Sequence, residues 1–153
     1  MGLEKEVNYH HFRSEYEKIL VNVYYTNSWL FDNYQQVLKK YNLTAQQYNV
    51  LKILFASYPK PIMISNIKER MLDKNSDITR IVERLLGKNL IARRRDQSNR
   101  RKVIVKLNII GYHLMEKMNK EVQVFEKLVS HLTPKEAIEL NKLLDKIRKK
   151  SGK

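Results

Sequence analysis

The sequence of 153 residues holds no cysteine, three prolines and four glycines. Without cysteine there are no disulfides, no thiolate catalysis, no cysteine-ligated zinc and no thiol redox sensing. The scarcity of proline and glycine leaves few helix breakers, so helices should dominate. No apolar run approaches the roughly 18 residues that a membrane-spanning helix needs. The segment from Met1 to Tyr9 is polar and of mixed charge, unlike a signal peptide. The expectation is therefore a cytoplasmic protein with no membrane partner. Histidines are few: His10, His11, His113 and His131. His10, His11 and His113 could join Glu15 or Glu116 around a metal, but no spacing is diagnostic, so no metal and no cofactor is expected. The carboxylates Asp73, Asp77, Glu83 and Asp96 are scattered among arginines rather than gathered as a metal-dependent nuclease requires, so no enzyme is expected.

What is present is basic charge. Thirty Lys and Arg face 16 Asp and Glu, a net charge of +14. Residues 60–107 hold 14 basic and 5 acidic residues, net +9, whereas residues 1–59 carry net +1 and residues 108–153 net +4. A positive field concentrated in a third of the chain suits a polyanionic partner. The plainer alternative is a solubilising surface. The hydrophobic fraction of 42% and charged fraction of 30% place the chain among soluble globular proteins, long enough to bury a core without staples.

Apolar residues from Phe12 onward (Tyr16, Ile19, Leu20, Val23, Leu30, Phe31, Tyr34, Leu38) keep helical spacing and predict one helix over about 8–40. A helix this long in so small a protein suggests that part of its apolar face meets another chain. Thr44 followed by Gln47 forms a capping box for a helix carrying Tyr48, Leu51, Ile53, Leu54 and Phe55. A loop marked by Pro59 and Pro61 follows. Ile64, Ile67 and Met71 predict a short helix. After a polar turn at Asp73-Lys74-Asn75, a second helix runs over about 76–88, with Ser76 as its expected N-cap. Ile78, Ile81, Val82, Leu85 and Leu86 form its apolar stripe. The pair reads as a helix-turn-helix. Two strands, over 90–95 and 102–107, then flank the polar loop Asp96 to Arg101, the layout of a basic wing. In the second strand Val103, Val105 and Leu107 alternate with Lys102, Ile104 and Lys106. Asn108 should cap a long helix through Leu114, Met118, Val122, Phe125, Val129 and Leu132. Thr133, Pro134 and Glu136 start the last helix with a second capping box, and Leu140, Leu143, Leu144 and Ile147 form its stripe.

The candidate chemistry is nucleic-acid recognition. A helix N-terminus brings positive dipole character into the major groove, where short polar side chains and arginine read base edges. Ser76, Thr79 and Arg80 occupy the first turns of the second helix, away from its apolar stripe. Thr79 and Arg80 are expected to reach bases, Arg84 one turn on to meet a phosphate, and Ser65 and Asn75 to donate to phosphates from helix starts. Arg100 and Lys102 in the wing are candidates for backbone or minor-groove contact. Arg93, Arg94 and Arg95 cannot all face one way on a strand, and Arg101 could be held structurally by Asp96. A solvated helix face and a charged turn are the bland readings of the same residues. Tyr24, Trp29 and Tyr48 could line a small-molecule effector pocket, although such aromatics are more often core.

The segments Leu43 to Leu51, Ser76 to Leu85, Leu90 to Arg94 with Asp96 to Arg101, and Leu107 to Gly111, in that order, resemble the MarR family of bacterial regulators. The resemblance covers about residues 10–148. Asn99 stands where the family's wing usually has an aspartate, which weakens charge-assisted pairing there. Asn108 replaces the usual threonine and caps comparably. The resemblance implies a mainly α fold with a small β-hairpin wing. It divides into an N-terminal dimerisation helix (1–40), a winged helix-turn-helix (41–107) and C-terminal dimerisation helices (108–153). It also implies a homodimer on double-stranded DNA at a pseudo-palindromic operator, a repressor released by a small-molecule effector, with recognition helices about 34 Å apart. A winged helix used only for protein–protein contact is the rival. It would leave the clustered charge unexplained.

Overall fold

The structure, a computed structural model, describes residues 2–95, 102–120 and 123–149. The chain divides into two units, Met1–Glu116 and Lys117–Lys153.

In the first unit a four-residue helix, α1 (Leu3–Glu6), precedes the long helix α2 (Glu15–Lys39). The helix expected from about residue 8 thus begins only at Glu15. Ser14 caps it by accepting from the Glu17 amide, and the Arg13 amide donates to the Glu17 carboxylate, so the first turn is fixed there. α2 ends in a Schellman turn. Asn42 takes φ 53°, with Asn42 N donating to Lys39 O and Leu43 N to Leu38 O.

α3 (Ala45–Phe55) opens on the expected capping box, with Thr44 Oγ1 accepting from Gln47 N and Thr44 N donating to Gln47 Oε1 at 3.1 Å. It is the heart of the unit, burying Gln47, Tyr48, Val50, Leu51, Ile53 and Leu54. Strand β1 (Ile62–Met63) leads into α4 (Ile64–Arg70), and the turn after it is tied back to α3 by Leu72 N donating to Asn49 Oδ1. α5 (Ile78–Gly87) buries Ile78, Val82 and Leu85. Its end repeats the device of α2. Asn89 takes φ 53°, Asn89 N donates to Leu86 O and Leu90 N to Leu85 O.

β2 (Ile91–Arg95) and β3 (Val103–Leu107) pair antiparallel, Ile91 opposite Leu107 and Arg95 opposite Val103. β1 adds itself to β3, Ile62 opposite Val105 and Met63 opposite Ile104, so the expected two-stranded wing is a three-stranded sheet in the order β1-β3-β2. The extra strand bears on the burial pattern. Ile104, placed on the outward face by simple alternation, is buried along with Val105 and Leu107.

α6 (Ile109–Lys120) starts at Asn108, whose Oδ1 accepts from Gly111 N and whose Nδ2 donates to Asn89 O at 2.8 Å. At Gly111 a Cβ would stand 2.0 Å from Leu90 O, so only glycine lets α6 lie this close to the end of α5. Leu51, Leu54, Ile67, Val82, Leu85, Val105, Leu107 and Met115 are fully buried and mark the core.

In the second unit α7 (Gln123–Lys127) and α8 (Pro134–Ile147) are described. The long helix expected to reach Leu132 does not. Val129 and Leu132 lie in a turn, where 128–130 and 132 close i→i−3 bonds, and both are exposed. Thr133 and Glu136 form the expected capping box, with Pro134 at the start. No residue of α8 is buried. Ile138, Leu140, Leu143 and Ile147 are all exposed. No described helix is long and apolar enough to cross a membrane.

Candidate nucleic-acid interface

The turn between α4 and α5 is built by one carboxylate. Asp73 accepts from Asn75 N through Oδ1 and from the Ser76 hydroxyl through Oδ2, both at 3.0 Å. With its hydroxyl so engaged, Ser76 is not the N-cap it was expected to be. Asp77 takes that place, its carboxylate accepting from Arg80 N at 3.1 Å. The shift of one residue leaves Thr79 and Arg80 in the first turn of α5, where backbone N–H groups and the helix dipole favour a negative partner.

Thr79, Arg80, Glu83 and Arg84 are exposed on the face opposite Val82 and Leu85. Arg80 and Arg84 line a depression of about 280 Å³ with Thr44, Asp73, Ser76 and Asp77. Neither arginine is in an ion pair among the described residues. The fold thus gathers Ser76, Arg80 and Arg84. Asn75 lies exposed in the adjoining turn, and Ser65 is exposed at the start of α4, its hydroxyl donating to Asn66.

Lys102 is exposed just before β3, while Arg100, Arg101, Asp96 and Asn99 lie outside the described residues. The β2–β3 register sorts the arginine trio. Arg93 and Arg95 share a face with Ile91 and stand opposite Val105 and Val103, and Arg94 stands on the other face opposite Ile104. All three are exposed.

The aromatic trio is not gathered. Tyr48 is buried in α3, and burial pushes its phenol pKa up, with Tyr34 adding to the shift. Tyr24 and Trp29 are exposed on α2. None of the three lines the depressions beside α5. Of the residues weighed for a metal, His113 pairs with Glu116, Nδ1 to Oε2 at 3.1 Å.

Sequence reasoning missed Asp73 and Asp77 as the residues that shape the turn. Their signal is local: each aspartate stands three residues ahead of the residue it binds, Asp73 before Ser76 and Asp77 before Arg80, in a stretch that holds Lys, Asn and Ser.

Comparison with known proteins fits this geometry. A family model described as "Transcriptional regulator SarA/Rot" matches residues 32–118. No curated protein matches the sequence. Among solved structures the chain is similar to a MarR transcription factor from Planctomyces limnophilus. The identity is 29%, 88% of this chain and 98% of that one are covered, and the TM-score is 0.68. It also shares the fold of a MarR-like regulator from Bacillus cereus (18% identity, 90% and 99% covered, TM-score 0.78). A mutant MarR from E. coli complexed with operator DNA is similar at 22% identity, with 97% and 100% covered and a TM-score of 0.76. The expected MarR-like winged helix-turn-helix is thus the fold.

Proposed function

The chain belongs to the SarA/Rot family of transcriptional regulators, and from that premise we propose that it binds double-stranded DNA sequence-specifically as a homodimer. In this reading α5 enters the major groove and the β2–β3 hairpin meets the backbone and minor groove. The family is one of regulators, not enzymes. The observation that carries the reading is the exposed Thr79–Arg80–Arg84 face at the start of α5, whose arginines are in no ion pair among the described residues, beside an exposed arginine strand. The same fold is seen in the E. coli protein complexed with operator DNA, which supports the docking mode.

Thr79 and Arg80 read bases. Arg84, Ser65, Asn75 and Ser76 position the backbone, and Arg100 and Lys102 serve the wing. The second copy covers exposed apolar faces, Tyr16, Leu20 and Tyr24 on α2 and Ile138, Leu143 and Ile147 on α8. The chain acts as a repressor on a pseudo-palindromic operator and is released by a small-molecule effector, with Tyr24 and Trp29 on α2 as the aromatic candidates for holding it.

Fluorescence anisotropy with the gene's own upstream DNA against scrambled DNA tests this. A specific regulator prefers its site by about a thousandfold or more. Arg80→Ala removes about 1–3 kcal/mol of discrimination while retaining non-specific affinity. Equal loss on both duplexes would refute base reading by Arg80, and equal weak binding by the wild-type chain would refute sequence-specific regulation through that DNA.

A further inference from the structure

The exposed face of α5 carries one carboxylate among its cations. Glu83 follows Thr79 by four residues and Arg80 by three, and Arg84 adjoins it. Residues at these spacings share one side of a helix, so Glu83 stands on the same exposed side as the base-reading pair. It lies within the first two turns of α5, the part of a recognition helix that meets base edges. We propose, resting on the DNA-binding reading above, that Glu83 is a specificity-determining residue. Its carboxylate accepts a hydrogen bond from the N4 amino group of a cytosine in the major groove.

The aspartates around it are engaged inside the chain. Asp73 accepts from Asn75 N and from the Ser76 hydroxyl, and Asp77 accepts from Arg80 N. Glu83 is in no ion pair and no side-chain hydrogen bond among the described residues. Arg80, three residues back, stands at a spacing that allows a pair, and none forms. Glu83 is exposed, so it supports no core either. A face that meets phosphates is a poor place for a lone negative charge, because like charges repel. Arg80 and Arg84 outnumber it, so the face stays net positive and still draws DNA in. The carboxylate is then an acceptor for a donor that the DNA itself supplies.

The chemistry of the groove selects that donor. An ionised carboxylate only accepts. Guanine presents two acceptors in the major groove, thymine an acceptor and a methyl group. Adenine sets its amino donor beside the N7 acceptor. Cytosine alone presents a donor with no acceptor of its own. Three residues of helix advance about 4.5 Å, near one base step of about 3.4 Å. Arg80 and Glu83 therefore address the same or neighbouring base pairs.

The test is site selection by the full chain from a randomised duplex pool, followed by anisotropy on the selected duplex with single base-pair changes. The wild-type chain is expected to prefer cytosine by about 5- to 150-fold at one position of each half-site. Glu83→Gln should move that preference to adenine, whose N6 and N7 a glutamine amide meets together. Glu83→Ala should level it. Both substitutes are good helix formers, and neither should alter the preference that Arg80→Ala removes. A structural role alone would not redirect one position from cytosine to adenine. Unchanged base preferences in both variants, with affinity for selected and random duplexes rising alike, would leave Glu83 a repulsive charge. That result would overturn the proposal while the DNA-binding reading stands. A Glu83-dependent position that prefers a base other than cytosine would overturn it as well. A wild-type chain that selects no sequence would overturn both readings.

Discussion

α2 and α3 are neighbours in the chain and both carry apolar residues at helical spacing, yet they place those residues differently. α3 buries six residues in eleven. α2 buries one, Leu38, in twenty-five. On α2 Tyr16 is 82% exposed, Leu20 69% and Tyr24 76%, values suited to polar side chains. α8 repeats the pattern of α2 with no buried residue. Periodicity shows that a face is apolar, but the partner that covers it has to come from elsewhere in space. For α3 the partner is the rest of its own unit. For α2 and α8 the proposed partner is a second copy.

The largest effect expected from this contrast is Leu54→Ala on α3, where the removed side chain leaves a cavity in a full core. Urea unfolding should show a loss of about 2–5 kcal/mol, at any protein concentration. Leu20→Ser on α2 should do something different in kind. About 1.5–3 kcal/mol per buried leucine is at stake, and it should appear as weakened self-association in sedimentation, with a concentration-dependent midpoint. A dimer unaffected by Leu20→Ser and by Leu143→Ser together would break the comparison, and a monomeric wild-type chain would end it.

The two capping boxes sharpen it further. Thr44→Ala removes a cap from a helix whose packing holds the core, and should cost about 1 kcal/mol of global stability. Thr133→Ala removes the same cap from a helix that buries nothing in its own chain. Its effect should be smaller and confined to helicity read by circular dichroism.

The smallest effect is one of pH. The Thr133 hydroxyl, then its amide, hold the Glu136 carboxyl below the usual carboxylate range. A depressed folded pKa means that the contribution is present above the unfolded value and lost as pH falls through the folded one. The difference in helicity between wild type and Thr133→Ala should therefore shrink on acidification below the ordinary carboxylate pKa. A difference that persists undiminished in strong acid would deny Glu136 its part in the cap.

The legible features were those written within a few residues. Thr44 with Gln47 and Thr133 with Glu136 announce their helices by spacing alone, and the structure places both boxes as expected. The stripe of Ile78, Val82 and Leu85 also found the core. Where two local answers competed, sequence could not decide. Ser76 and Asp77 are both good caps, and the choice fell to Asp77 because Asp73 had already engaged the Ser76 hydroxyl. Non-local pairing was invisible. A two-residue strand at Ile62–Met63 has no period to detect, and it exists only through β3, some forty residues on. Tyr48 shows the same limit. Nothing within α3 says whether an aromatic faces a cavity or a core, and here it faces the core.

The junction at Gly111 carries a mechanical consequence. Leu90 O sits where a side chain would otherwise be, and Asn108 reaches across to Asn89 O. At this point the backbone of α6 lies against the backbone that follows α5, with the Leu107 side chain beside it. Asn89 and Leu90 belong to the Schellman turn that closes α5. A tilt of α6 here would press its backbone on the turn that closes α5, the helix that carries Arg80.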